Sequence, residues 1–179
     1  VSDGNSGNAQ GTGLNPGTDT QNVAVNITVV NDPPVIGDLE ATSANTFTEG
    51  GTAVLLDSNA TLQDFELDAA DNWNGASLTV ERSSSASTDD TFSFGGSAVT
   101  INSTNLVIDS TSRATFANTN GTLTVSFNAN ARASDVDAIL QAVTYANTSE
   151  APPASVTLAV TVSDGNSGNA QGTGLNPGT

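Results

Sequence analysis

The stretch VAVNITVV, residues 23–30, sets Val23, Val25, Ile27 and Val29 on one side of an extended chain and Asn26 and Thr28 on the other. Successive side chains of a strand point to opposite faces, so the alternation predicts a half-buried strand. The same period of two returns in SLTVER around Leu78 and Val80, in TFSF at Phe92 and Phe94, at Val99 and Ile101, and at Leu106 and Ile108. It returns again at Leu123, Val125 and Phe127, and at Val156, Leu158, Val160 and Val162. Short strands separated by Gly, Asn, Ser and Asp clusters predict an all-β, two-sheet sandwich.

One segment breaks this rhythm. SDVDAILQA, residues 134–142, opens on Ser134 as an N-cap, carries Asp137 in capping-box register and groups Val136, Ile139 and Leu140 on one face. A short helix is expected there, lying across an end of the sandwich and feeding the strand VTYANT with Tyr145 pointing inward.

The first eighteen residues, VSDGNSGNAQGTGLNPGT, recur letter for letter at 162–179, a period of 161 residues. Such an identity suits about one unit of a tandem array. NDPPV (31–35) reads as a boundary, because two consecutive prolines withhold their N–H groups from any ladder and hold the backbone extended. The expected division is 1–31 as the preceding loop and last strand of one repeat, and 32–179 as a repeat without its own final strand. Nine strand residues span roughly 30 Å, whereas residues 31 to 34 reach only about 14 Å. The strand at 22–30 is therefore expected to complete a neighbouring molecule rather than its own domain, giving a head-to-tail partner relation between adjacent repeats.

Charge narrows the function. Nineteen Asp and Glu stand against Arg82, Arg113 and Arg132, with no lysine, for a formal net charge of −16. Such a surface repels phosphate backbones and anionic headgroups, so neither nucleic-acid binding nor membrane insertion is expected, and cations are the natural partners. Strong acidity alone would also fit disorder, but the alternating apolar segments argue for a folded core. With no Cys and no His, thiol and imidazole chemistry and the usual zinc ligands are excluded together. Carboxylate and carbonyl oxygens remain, the ligand set of calcium.

The densest acidic run is LQDFELDAADNWNGASL (62–78), with Asp64, Glu66, Asp68 and Asp71. In a strand end or extended loop, positions i and i+2 share a side, which lets Asp64 and Glu66 converge on one ion; the pair by itself fits a solvated acidic loop equally well. Asp89, Asp90 and Asp109 read as turn caps and solubilising charges. Trp73, the single Trp, either covers the edge of a core or stacks on a sugar. The Gly-rich DGNSGNAQGTG reads as a long turn, since no strand-to-helix step or lysine accompanies it.

The succession NDPPV, FTEGG (47–51), LQDFELDAADNWNGASLTV, NANARASDVDAILQAVTYANTSEAPP and VTLAVTVSDGNSG resembles the cadherin-like tandem repeats of giant bacterial surface adhesins of the RTX type, secreted by type I systems. The resemblance implies a Greek-key cadherin- or Ig-like β-sandwich, stabilised by Ca2+, that acts as an extracellular extender. Carried over residue by residue, it implies that Asn31 and Asp32 are linker ligands, met by Asp64 and Glu66 and by Asp164 of SDGN. Asp3 is the copy of Asp164 in the preceding unit, and Glu49 of FTEGG corresponds to a glutamate facing the opposite linker. The longer acidic run of cadherins proper and their Asp-Arg-Glu element are absent. The expected function is a structural extender of an adhesin; the alternative is a carbohydrate- or surface-binding module, recognising its ligand through Trp73 and exposed Thr and Asn. An enzyme is not expected, because nothing places two carboxylates in a substrate cleft.

Overall fold

The computed structural model describes residues 1–2, 4, 10–12, 18–40, 45–166 and 171–174. Its main body is an all-β sandwich. The larger sheet has six strands, and its centre is built from the segments with the cleanest alternation. In β5 (Ser77–Arg82) Leu78 and Val80 are buried, and in β10 (Thr122–Phe127) Leu123, Val125 and Phe127 are buried. The two strands are antiparallel with Leu123 opposite Val80 and Val125 opposite Leu78, so one apolar face runs across both.

Beyond β10 the sheet continues through β9 (Thr111–Thr119), β8 (Asn105–Ile108) and β7 (Thr100–Asn102). On the other side β5 pairs with β12 (Leu158–Ser163), which forms the edge. The second layer holds β3 (Val54–Leu55), β11 (Val143–Asn147) and β6 (Asp90–Phe94). Phe94 of β6 meets Phe116 of β9 edge to face at 5.1 Å between ring centroids, closing the two layers on each other. A small antiparallel pair, β2 (Val35–Gly37) with β4 (Thr61–Gln63), and a parallel pair, β1 (Val30–Asn31) with β13 (Thr173–Gly174), complete the strands.

Among the described residues there are two helices, where the sequence predicts one. α2 (Ala133–Gln141) buries Val136, Ile139 and Leu140, and Tyr145 of the following strand points into the core. The cap differs from expectation: the helix starts at Ala133, and the Asp135 carboxylate, not that of Asp137, accepts the Arg132 N–H at 3.0 Å. Asp137 instead accepts the Leu62 N–H at 2.7 Å, and Gln141 donates to the Ala60 carbonyl at 2.9 Å, tying the helix to β4. α1 (Phe65–Ala70) occupies the acidic run for which the sequence predicts a strand end or extended loop.

Of the half-buried strand expected over 23–30, residues 23–29 form no strand and only Val30 does. Val23, Val25, Ile27 and Val29 are 88, 75, 84 and 61 % exposed, and ladder pairing begins only at Val30. The apolar alternation is present, but among the described residues no strand pairs with 23–29. Ile101 also departs from expectation: Val99 is buried while Ile101 is 44 % exposed, because β7 is the outer strand of its sheet.

β5 fixes the long axis. Its first residue, Ser77, lies opposite Ser163, and its last, Arg82, opposite Leu158. Five steps along a strand separate two poles by roughly 17 Å.

Candidate metal centre

The pole beyond Ser77 and Ser163 gathers residues from four parts of the chain. Asp64 is the N-cap of α1, with extended backbone (φ −150°, ψ 130°), and its Oδ1 accepts the N–H groups of Glu66 at 3.1 Å and Leu67 at 2.9 Å. Asp64 and Glu66 are thus neighbours across a helix start rather than along a strand pleat, which corrects the reason for their proximity. The signal was present in the sequence: an Asp followed by an acidic first turn, two alanines and then Asn-rich breakers.

Asp64 is 3 % exposed, and its second oxygen, Oδ2, is buried with no hydrogen-bond donor in reach. A buried carboxylate oxygen without a partner costs desolvation that nothing in the protein returns. Burial raises the Asp64 carboxyl above its ordinary value, and the charges of Asp164 and Glu66 push the same way against the hydrogen bonds from Leu67 and Glu66.

Asp164 follows β12 directly and is fully buried. Its Oδ2 accepts from Nδ2 of Asn31 at 2.8 Å, and its Oδ1 accepts the Asn166 N–H at 3.0 Å in an Asx turn. Asn166, also fully buried, holds the returning chain: it accepts the Gln171 N–H at 2.8 Å and donates to the Gly172 carbonyl at 3.2 Å. Gln171 donates to the Asp164 carbonyl at 3.1 Å while its own Oε1 is buried without a donor. Gly165 lets this loop close, since its φ is +65° and a Cβ there would stand 2.1 Å from the Gly75 carbonyl oxygen.

Residues 31 and 32 join the same pole. Asn31 is buried against Asp164, and the Asp32 N–H donates to Glu66 Oε2 at 3.4 Å. Beside them Asp32, Pro33, Asp64, Phe65 and Asp68 line an open depression of 690 Å³. Asp68 has other duties, accepting the Asp64 N–H at 3.1 Å and Nε1 of Trp73 at 2.9 Å. The structure therefore brings Asn31, Asp32, Asp64, Glu66 and Asp164 to one pole. Among the described residues, no three Asp, Glu, His or Cys side chains stand together as a metal cluster, so any ion here would draw amide oxygens as well as carboxylates. Mixed donors of this kind suit calcium, which takes several oxygens in flexible geometry. Asn166 and Gln171 were not singled out from sequence, because their spacing in a Gly-rich turn carries no pattern.

Glu49 is not part of this group. It is exposed in a turn beside Phe47, Asn147 and Glu150, at the Arg82 pole. Asp3 lies outside the described residues.

The Arg82 pole holds a network centred on Asp90, for which the sequence predicts only a turn cap or solubilising charge. Asp90 is buried and receives a two-pronged ion pair from Arg82, the Tyr145 hydroxyl at 2.7 Å and the Asn147 amide at 2.8 Å. Burial by itself raises the Asp90 carboxyl, but these donors outweigh it and hold it below its ordinary value. Trp73 is fully buried and packs edge to face on Phe127 at 6.2 Å, so it is unavailable to stack on a sugar.

No protein-family model matches the chain, and neither a curated protein nor a solved structure is significantly similar to it.

Proposed function

We propose that the protein is a structural extender module of a repetitive bacterial cell-surface adhesin, working outside the cell and made rigid by Ca2+ at the joint between successive sandwiches. The observation that carries this reading is the docking of the linker pair Asn31 and Asp32 onto Asp164 and Glu66, beside the buried, donorless Oδ2 of Asp64. In the reading, the carboxylates of Asp64 and Asp164 supply charge and the side-chain oxygens of Asn31 and Gln171 complete the shell. A bound divalent cation supplies positive charge where carboxylates otherwise repel one another.

The protein's own part is positional. The α1 N-cap aims Asp64, the Asx turn aims Asp164, and the two prolines after Asp32 keep the linker extended. Fixing the linker angle lowers the conformational entropy of an array, which is what an extender requires. The alternative, a carbohydrate-binding module, loses its aromatic platform with Trp73 buried. The test is thermal unfolding with calcium and with EDTA, alongside calorimetric titration of the metal-free chain. Saturating calcium, at a hundredfold excess over Kd, adds about 2.7 kcal/mol, a rise in Tm of roughly 5–10 °C. Equal melting temperatures and no heat of binding would overturn the reading.

A further inference from the structure

Residues 171–174 return to the pole after the Asp164 turn and lie hard against the linker. Thr173 and Gly174 pair with Val30 and Asn31 as β13 with β1. A Cβ at Gly172 would stand 2.9 Å from the Asn31 nitrogen and 3.1 Å from the Val29 carbonyl carbon, and the φ of +129° there favours glycine. Asn166 ties the run back to the turn, accepting the Gln171 N–H and donating to the Gly172 carbonyl. A segment paired over so few residues opens at the low end of the free-energy scale, well before the six-stranded sheet.

Closing this run carries a penalty that one cation removes. With the run closed, Oε1 of Gln171 is buried without a donor, while its Nε2 donates to the Asp164 carbonyl at 3.1 Å. Oδ2 of Asp64 is buried without a donor too, and Asp64 stands near enough to Asp164 for their charges to act on each other. Each buried acceptor left alone disfavours the closed state. A cation between them reverses the sign, since Ca2+ takes neutral amide oxygens and carboxylates alike. Taking the calcium reading of the pole as given, we infer that the ion acts there as a switch. By bridging Asp64 and Gln171 it closes residues 171–174 onto Val30 and Asn31, so that ion binding and the pairing of β13 with β1 form one equilibrium.

Linkage makes the coupling reciprocal: calcium stabilises the closed run by the same factor with which closing tightens calcium. Asn166 is then a positioning residue, fully buried and bonded to the backbone on both sides of the Gln171 side chain. Gly172 has no side chain to offer an ion, yet a methyl group there would prop the run off the linker and withdraw Gln171 with it. Calcium affinity therefore depends on a position that donates no side-chain oxygen.

The test is hydrogen exchange of the whole chain with calcium and with EDTA, beside calorimetric titration of calcium. At calcium a hundredfold above Kd, exchange in 171–174 is expected to slow by about a hundredfold. Gln171→Ala is expected to lose that slowing and to bind calcium about fivefold or more weakly. Gln171→Glu keeps an oxygen but has no amide to donate, and is expected to restore both; a Gln171 that only tied down the Asp164 carbonyl would leave Glu as poor as Ala. Gly172→Ala is expected to keep its far-UV circular dichroism and to bind calcium about fivefold or more weakly. No heat of binding to the native chain would sink the calcium reading and the switch together. Binding with unchanged exchange in 171–174, a Glu variant no better than Ala, or native affinity in Gly172→Ala would each overturn the switch alone.

Discussion

Asn31 and Asp164, 133 positions apart in the chain, are joined by a 2.8 Å hydrogen bond from side-chain amide to buried carboxylate. The bond fastens the linker to the turn that follows β12, and replacing Asn31 by Ala removes it. Hydrogen bonds to charged groups contribute about 1.5–3 kcal/mol, so Asn31→Ala is expected to lower stability by that amount in urea denaturation and to weaken the response to calcium.

Asp64 gives a prediction with two signs. Its folded carboxyl titrates above the unfolded value of 3.8, so the stability it contributes is full below that value and is lost as pH rises through the folded one. At neutral pH in EDTA the ionised group therefore works against folding. Asp64→Asn keeps the helix cap, since Asn caps as well as Asp, and removes that penalty. The variant is expected to melt above the native chain in EDTA, yet to gain less from added calcium.

Asp90 behaves oppositely. Its carboxyl is held below 3.8, so its contribution is present above that value and disappears as pH falls through the lower, folded one. Breaking the buried Arg82 pair with Asp90→Ala is expected to cost about 3–5 kcal/mol. The same variant should flatten the acid limb of a stability-versus-pH curve, and Tyr145→Phe should reproduce a smaller part of both effects.

Gly165→Ala places a methyl group 2.1 Å from the Gly75 carbonyl oxygen on a backbone with positive φ. A loss of more than about 1 kcal/mol is expected, because the substitution opposes both the space and the backbone. Hydrogen exchange should report it first in the residues around Asp164 and Asn166.

The strands were legible wherever one face packs on the core. β5, β10 and β12 announce themselves through Leu78, Leu123 and Val162 because period-two burial is local information. α1 escaped because six residues give an amphipathic pattern less than two turns to show itself, and because its acidic character suited a loop as well. The gathering of Asn31, Asp64 and Asp164 was legible only through resemblance to repeats of known order, since nothing in the spacing of residues so far apart dictates that they meet. The Arg82 and Asp90 pair had a faint signal: three arginines among nineteen acids, all three of which find carboxylates, at Asp90, Asp135 and Asp71.

The parallel pair β1 and β13 holds just two residues on each side. Tension applied across Val30 and Gly174 would fall on that short clasp and on the Asn31 amide, leaving the six-stranded sheet unloaded, so the fastening would slip while the sandwich stayed whole.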